Sequence, residues 1–424
     1  MRILIISSTT WDDANSFGNT FSNLFGSMEN VEIYNIACRH GVSDNKVVRA
    51  SVQLTDRSVL KSIYKLKFDP CREVPTIARA DKMNSEISAK ARKNRHTISF
   101  IIRDAIWKLG RWKNSKTLNK FLEEASPDVI YLPIYSSPYM CDIQEHIIKK
   151  LNVPTVGHIS DDVYSFPPKL SPLARSYRKK TRKKVRSLIN RCEYLEVFAE
   201  NMQSEYQEEF SKPCYLVGKG VYPREIEMVR TCVPDGSPLR FVYTGNIGDD
   251  RYKSLAQIGE KISQVFEPGS AVLDIYSATP LNSEMSRALN SPFIEFHGAI
   301  PKNEVRSVQS NADFLVHVEG FSPNAVFSAK MSFSTKIIDY MIMSKPIFAF
   351  GPEEVNSIAV LKKYSLGIVS SSDEELAFNL NNVASKNVNY ERLTENVKKY
   401  LHKNRNISFV QKDIYQRMVR LLKK

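Results

Sequence analysis

Short apolar runs separated by amphipathic stretches set the pattern of this chain. Ile3-Leu-Ile-Ile6, Val31-Glu-Ile-Tyr34, Val129-Ile-Tyr-Leu132, Thr155-Val-Gly-His158 and Leu195-Glu-Val-Phe198 read as strands in the first half. Helical spacing fills the intervals at about 18–28, 97–109, 115–125, 139–150, 171–191 and 200–210. Residues 40–95 are polar and irregular and carry no assignable element. A junction falls near 215–238, where Gly218, Gly220, Pro223, Pro234, Gly236 and Pro238 cluster. Leu239-Arg-Phe-Val-Tyr243 then opens a second series, continued by apolar runs at 272–276, 294–297, 314–317 and 347–350 and a short one at 368–369. Residues 408–424 read as a helix with Phe409, Ile414, Met418 and Leu421 on one apolar stripe.

Alternation of this kind predicts α/β architecture with parallel sheets. A chain of 424 residues exceeds one comfortable core, so two doubly wound domains joined at the glycine- and proline-rich junction are expected. Ligands of such sheets bind beyond the carboxyl ends of the strands, which makes the loops there, facing an interdomain cleft, the place to look.

The most telling of these segments is Ser332-Phe-Ser-Thr-Lys-Ile-Ile-Asp-Tyr-Met-Ile-Met-Ser-Lys-Pro-Ile-Phe-Ala-Phe-Gly351. It reads as a loop, a short helix capped by Ser334 or Thr335, and a buried strand. Lys336 in the first turn and Asp339 three residues on share a face. A lysine at a helix start suits a phosphate, and a carboxylate one turn deeper suits sugar hydroxyls. A capped helix before a core strand, with both charges merely solvated, is the plainer alternative. After the second series' first strand, Gly245-Asn246 and Gly248 let backbone approach a ligand closely, and Arg251 and Lys253 supply charge suited to a pyrophosphate. The GK[ST] ending of a P-loop and a full GxGxxG are missing, so a nicotinamide cofactor is not indicated. His297-Gly298 and His317-Val-Glu319-Gly320 end two further strands, and Glu319 is placed to reach a second ligand moiety.

In the first half the loop after the first strand runs to Gly18-Asn19-Thr20, which could offer backbone N–H groups. His158-Ile-Ser-Asp-Asp162 ends another strand. Asp161 and Asp162 could orient an acceptor hydroxyl, act as base, bind a cation, or form a plain polar turn, and His158 could satisfy a core hydrogen bond instead.

Charge changes the picture of partners. The net charge of +14 is concentrated, with nine basic and no acidic residues between Arg175 and Arg191. A second basic region, 90–116, has Phe100, Trp107 and Trp112 interleaved. Such clusters attract phosphate on nucleic acid, on an anionic membrane or on a pyrophosphate-linked lipid. No nucleic-acid recognition motif accompanies them, so nucleic acid is not the expected partner. The longest apolar runs fall short of the ~20 residues of a spanning helix, and the first residues read as a strand, not a signal peptide. Six scattered cysteines without metal spacing read as reduced thiols of a cytoplasmic protein.

Taken together, residues 240–255, His297-Gly298, Glu319 and 334–349 resemble the donor-binding domain of GT-B glycosyltransferases, in particular the retaining family 4 that includes enzymes of bacterial polysaccharide assembly. The family pattern S-x-K-x-x-E-Y-x-x-x-G-K-P corresponds to Ser334-Thr-Lys336, Asp339-Tyr340 and Ser344-Lys345-Pro346. Ala199-Glu-Asn-Met-Gln-Ser-Glu-Tyr-Gln-Glu-Glu-Phe210 with Lys212-Pro213 resembles the segment before the domain linker. Two departures stand out. Asp339 replaces the usual glutamate, and its partner Glu319 lies twenty positions back instead of eight, across an inserted loop at 321–333.

The resemblance implies two Rossmann-like domains facing across a cleft: 1–220 on the acceptor side, 225–404 binding the donor, and a helix at 405–424 packing back on the first domain. It implies hexosyl transfer from a nucleotide-diphosphate sugar to a saccharide, lipid-pyrophosphate-linked, in surface polysaccharide or glycan biosynthesis. Arg251 and Lys336 would hold the diphosphate, with Gly18, Gly245, Asn246, Ser334 and Thr335 around the donor. Asp339 would hold the ribose and Glu319 the donor sugar, while His158 or Asp161 would face the acceptor. No cofactor and no metal would be needed. The enzyme would work in the cytoplasm, peripheral on the inner face of the membrane, with regions 90–116 and 171–191 against anionic lipid. The alternatives are a non-catalytic sugar-nucleotide-binding subunit and a sugar-nucleotide epimerase.

Overall fold

Two separate sheets collect the apolar runs. The structure, a computed structural model, describes residues 1–74 and 97–423. The first sheet contains β1 (Arg2–Ser7), β2 (Glu32–Ala37), β3 (Val48–Leu54), β4 (Cys71–Glu73), β5 (Val129–Pro133), β6 (Thr155–Ile159), β7 (Tyr194–Val197) and β8 (Cys214–Leu216) in the order β4-β3-β2-β1-β5-β6-β7-β8. Its pairs are parallel except for β4, which runs antiparallel on β3 at one edge. The second sheet holds β9 (Leu239–Thr244), β10 (Ala271–Tyr276), β11 (Ile294–Gly298), β12 (Phe314–Val318), β13 (Ile347–Phe350) and β14 (Ile368–Ser370) in the order β11-β10-β9-β12-β13-β14, all parallel. Both are doubly wound, as the alternation predicts.

The chain forms two units, one of Met1–Phe198, Met202–Gly220 and Ile407–Lys424, the other of Ala199–Asn201 and Val221–Asn406. Helix Ile407–Leu422 belongs to the first unit, where Ile414 and Met418 are buried and Gln411 donates to the Asn23 carbonyl of helix Ser16–Phe25 at 2.8 Å. Phe409, expected on the apolar stripe, is instead 58% exposed, and Ile407 and Gln411 take the inner face. In the second unit both faces of the sheet are apolar, with Val242, Leu315 and Ala349 on one side and Phe241, Phe314 and Phe348 on the other.

Two segments differ from the sequence reading. The unassigned stretch after residue 40 contains β3 and the helix Asp56–Tyr64. Strand β3 hides in the sequence because its polar residues are internal and paired: Ser51 donates to Asn35 at 3.3 Å, and Gln53 accepts from the Gly41 N–H at 3.4 Å. The 321–333 loop contains the helix Pro323–Ala329, with Ser322 as its cap and proline in its first turn. Residues 90–96 of the first basic region lie outside the described residues.

Candidate functional site

The second sheet reverses direction between β9 and β12. Successive strands step outward from β9 to β11, and the chain then returns to lay β12 on the other side of β9. At such a switch point the two following loops diverge and leave a crevice at the strand ends. Here those loops carry Arg251 after β9 and Glu319 after β12.

Arg251 is aimed by an unusual turn. Asp249 and Asp250 both adopt left-handed backbone, with φ of 52° and 60°, which short aspartates tolerate better than most residues. The helix Arg251–Val265 begins directly after them. Gly320 lets the two loops touch, since a Cβ there would stand 2.2 Å from the Asp249 carbonyl oxygen. Arg251 Nε and Nη2 reach one oxygen of Glu319, Oε2, at 2.9 and 2.7 Å, and Ser254 Oγ donates to the Glu319 carbonyl at 2.7 Å. Burial pushes the Glu319 carboxyl above its ordinary range against the pull of Arg251.

Lys336 opens the helix Lys336–Ile342, and its Nζ donates to the Thr244 carbonyl at the end of β9 at 3.0 Å. Gly245 makes this possible, because a Cβ would lie 2.4 Å from that nitrogen. The residue keeps an exposed flank, yet burial around the ammonium, then Arg251, lowers its pKa. Arg251 and Lys336 thus bring two cations to the ends of β9 and β12. Asp339 lies half-buried one turn along from Lys336, and its charge favours the ammonium. The expected cap is not made. Thr335 occupies the cap position without a side-chain bond, the Ser334 N–H goes to Ser357 Oγ, and the Ile337 and Ile338 amides close on the Ser334 and Thr335 carbonyls. A grip on an anion therefore rests on the Lys336 and Arg251 side chains. Asn246 shapes its own loop, accepting from the Gly248 N–H at 2.6 Å and from Thr279 Oγ1 at 3.1 Å.

Four residues that the sequence reading left without a role belong to the same centre. His317 on β12 is buried, with Nε2 3.6 Å from Glu319 Oε1 and no hydrogen-bond partner among the described residues. Burial, Arg251 and Lys336 push its pKa down to about 3, so it is neutral. Thr244 Oγ1 accepts from Gln309 Nε2 at 2.7 Å and lies 3.4 Å from the Tyr340 hydroxyl, which ties the end of β9 to the Lys336 helix. His317 carried a signal, as a histidine two positions from Glu319 at a strand end, and so did Tyr340, as the tyrosine of the family pattern.

At the edge of the same sheet His297 Nε2 lies 2.6 Å from Asp274 Oδ1 and 3.7 Å from Glu295. These three residues could bring metal ligands within reach of one another. Asp274 already receives Arg240 on its other oxygen at 2.7 Å, so its charge is spent on protein partners.

In the first unit, His158 sits in the core. The Tyr131 hydroxyl donates to Glu196 at 2.6 Å and meets His158 Nδ1 at 2.9 Å, while His158 Nε2 meets Ser160 Oγ at 3.0 Å. Glu196 is ion-paired with Arg417 at 2.8 Å. With Glu196 ionised, His158 carries its proton on Nδ1 and accepts from Ser160. Burial among Phe21, Tyr131 and Phe198 pushes its pKa down to about 3. Asp161 follows Ser160 on the exposed side of the β6 end. Asp162 holds its own loop, accepting from the Tyr164 and Ser165 N–H groups at 2.9 and 3.1 Å and from the Tyr206 hydroxyl at 2.7 Å. Gly18 is packed too tightly for any side chain, with the Asp12 carbonyl 2.0 Å from where a Cβ would stand. Its N–H is taken by the Asn15 cap at 2.8 Å and that of Asn19 by the Asn15 carbonyl at 3.0 Å, so these two amides are not open to a ligand.

No protein-family model matches this chain, and no curated protein matches it by sequence. Its structure is similar to that of Anabaena HepE in complex with UDP, at 12% identity and a TM-score of 0.59 over 99% of this chain and 100% of that one. A glycosyltransferase from Rickettsia africae is similar at 9% identity and TM-score 0.61, covering 100% and 99% of the two chains. Sucrose-phosphate synthase from Thermosynechococcus elongatus is similar at 11% identity and TM-score 0.58, covering 99% of each. At these identities the likeness is one of fold, and it is that of the GT-B glycosyltransferases, built from two Rossmann-like domains with parallel sheets.

Proposed function

We propose that this protein is a retaining glycosyltransferase of the family 4 type, moving a hexosyl group from a nucleotide-diphosphate sugar to a saccharide carried on a lipid pyrophosphate at the inner face of a membrane. The observation that carries this reading is the convergence of Arg251 and Lys336 on the ends of β9 and β12, with Glu319 between the strand end and the guanidinium. The UDP and UDP-glucose complexes of HepE support a nucleotide-sugar donor.

In this mechanism the anomeric C–O bond to the diphosphate breaks and a new C–O bond forms to the acceptor hydroxyl on the same face of the sugar. The acceptor proton passes to an oxygen of the departing diphosphate. Lys336 and Arg251 stabilise the charge gathering on that leaving group, the role a metal ion has elsewhere. Asp339 holds the ribose hydroxyls and Glu319 orients the donor sugar. Gly245, Asn246, Ser334 and Thr335 complete the donor surroundings, and the exposed Asp161 meets the acceptor.

Thermal-shift titration with UDP, GDP, ADP and CMP tests the donor site. One diphosphate should raise the melting temperature without added metal, and Lys336→Ala should reduce the shift. An unchanged shift in that variant would overturn the site. Donor binding with neither transfer nor hydrolysis would leave a non-catalytic subunit, and NMR of the donor incubated alone would reveal an epimerase.

A further inference from the structure

A cavity of about 380 Å³ opens in the second unit at the amino ends of β13 and β14, the end of the sheet opposite the donor loops. Pro346 and Ile347 lead from it into β13, and Leu366 and Gly367 into β14. Met341 and Ser344 belong to the far end of the helix that Lys336 begins, about 10 Å along its axis. Ser344 keeps a left-handed backbone, with φ of 61°, and its Oγ accepts from the Arg230 N–H at 2.9 Å. Gly367 fits closely under Ile347, since a Cβ would stand 2.6 Å from the Ile347 carbonyl oxygen. Met341, Ile347, Leu366 and Val397 are buried and give the cavity an apolar floor.

Two polar groups beside this floor lack acceptors. Lys345 is half-buried, and its ammonium makes no hydrogen bond or ion pair among the described residues. The Tyr390 hydroxyl has no hydrogen-bond partner among them either, and burial, then Asp313 and Cys232, push its pKa up to about 12. Asp313 is already engaged, accepting from the Gly236 and Arg240 N–H groups at 3.1 and 2.8 Å. Arg230 turns its guanidinium onto the Glu227 and Val229 carbonyls. Among the described residues, none that lines the cavity is acidic. Donors without acceptors above an apolar floor complement an anionic head on an apolar body.

We propose that this cavity is a second ligand site, which takes a small carboxylic acid as its carboxylate. The carboxylate accepts from Lys345 and the Tyr390 hydroxyl, and the apolar body lies against Met341, Leu366 and Val397. A cationic ligand would face Lys345 with no acid to offset it, and inorganic phosphate would leave the floor uncovered. The site rests on observations of the second unit alone and does not depend on the donor reading.

Cys232 lines the same cavity and is the one cysteine of the chain that is not buried, so its reactivity reports occupancy. The full-length protein is alkylated with N-ethylmaleimide, and modification of Cys232 is followed by peptide mass spectrometry. Hexanoate at ten times its Kd should slow that modification by about tenfold. Acetate, inorganic phosphate, 1-hexanol and hexylammonium at the same concentration should each protect less. Lys345→Met should weaken hexanoate by about ten- to a hundredfold, and Tyr390→Phe by about two- to tenfold, with the melting temperature of each variant kept. Absence of protection by hexanoate, equal protection by hexylammonium or phosphate, or an unchanged hexanoate midpoint in Lys345→Met would overturn the proposal.

Discussion

Arg251 places Nε and Nη2 on the same oxygen of Glu319, at 2.9 and 2.7 Å, and leaves Oε1 turned toward His317, 3.6 Å away. Glu319 is nearly enclosed while the Arg251 side chain keeps 22% of its surface. Removing the arginine strands a buried carboxylate. Arg251→Met should therefore destabilise the second unit by about 2–3 kcal/mol, somewhat less than a fully buried pair because the guanidinium is partly solvated. Urea unfolding measures this, and diphosphate affinity should fall in the same variant.

Lys336 presents the opposite balance. Its ammonium makes one hydrogen bond, to the Thr244 carbonyl, and the residue is exposed at the strand ends. Lys336→Ala should alter stability by less than about 1 kcal/mol while weakening a nucleotide diphosphate by about ten- to a hundredfold, the span of a lost charged hydrogen bond. Calorimetric titration of the two proteins would read both quantities.

His158 and His317 set a pH dependence. Each has a folded pKa of about 3, well below the ordinary 6.5 of an unfolded chain, because burial excludes the charged form. Between those values the unfolded chain binds more protons, so stability is full above about pH 6.5 and is lost as pH falls toward 3. At pH 4.5 each histidine should have removed up to about 2–3 kcal/mol. His158→Gln with His317→Gln should flatten the fall in unfolding midpoint between pH 6.5 and 4.5, and an unchanged slope would exclude the two imidazoles as its source.

Glu196 has no exposed surface, and Arg417 holds it with Nε and Nη2 at 3.0 and 2.8 Å. Arg417→Met should cost about 3–5 kcal/mol, and Arg417→Met with Glu196→Gln should recover part of that loss. Denaturant unfolding of the single and double variants forms the cycle.

The parts of the molecule that are local in sequence were legible there. The short helix and strand at 336–350 follow from a few adjacent residues, and so does the apolar run of β9. The spacing of Lys336 and Asp339 puts both on one face of that helix. What could not be read depends on partners far along the chain. Strand β3 looks polar until Asn35 and Gly41 are seen to satisfy Ser51 and Gln53. His158 reads as a strand-end histidine until Tyr131, Glu196 and Arg417 are assembled around it. The helix at 323–329 was hidden by its small and polar residues, and Phe409 turned outward because Gln411 found a carbonyl on Asn23.

The Glu196–Arg417 pair spans 221 residues of chain. During synthesis the first sheet is complete once β8 has emerged, yet its buried carboxylate has no cation until the whole second unit has followed. At roughly 5–20 residues per second that interval is about 10–40 s. Through it the nascent first unit must keep Glu196 protonated or wet, and the face that Ile414 and Met418 will cover stays open. The second unit, continuous apart from residues 199–201, meets no such delay, so the half of the protein begun first is the half finished last.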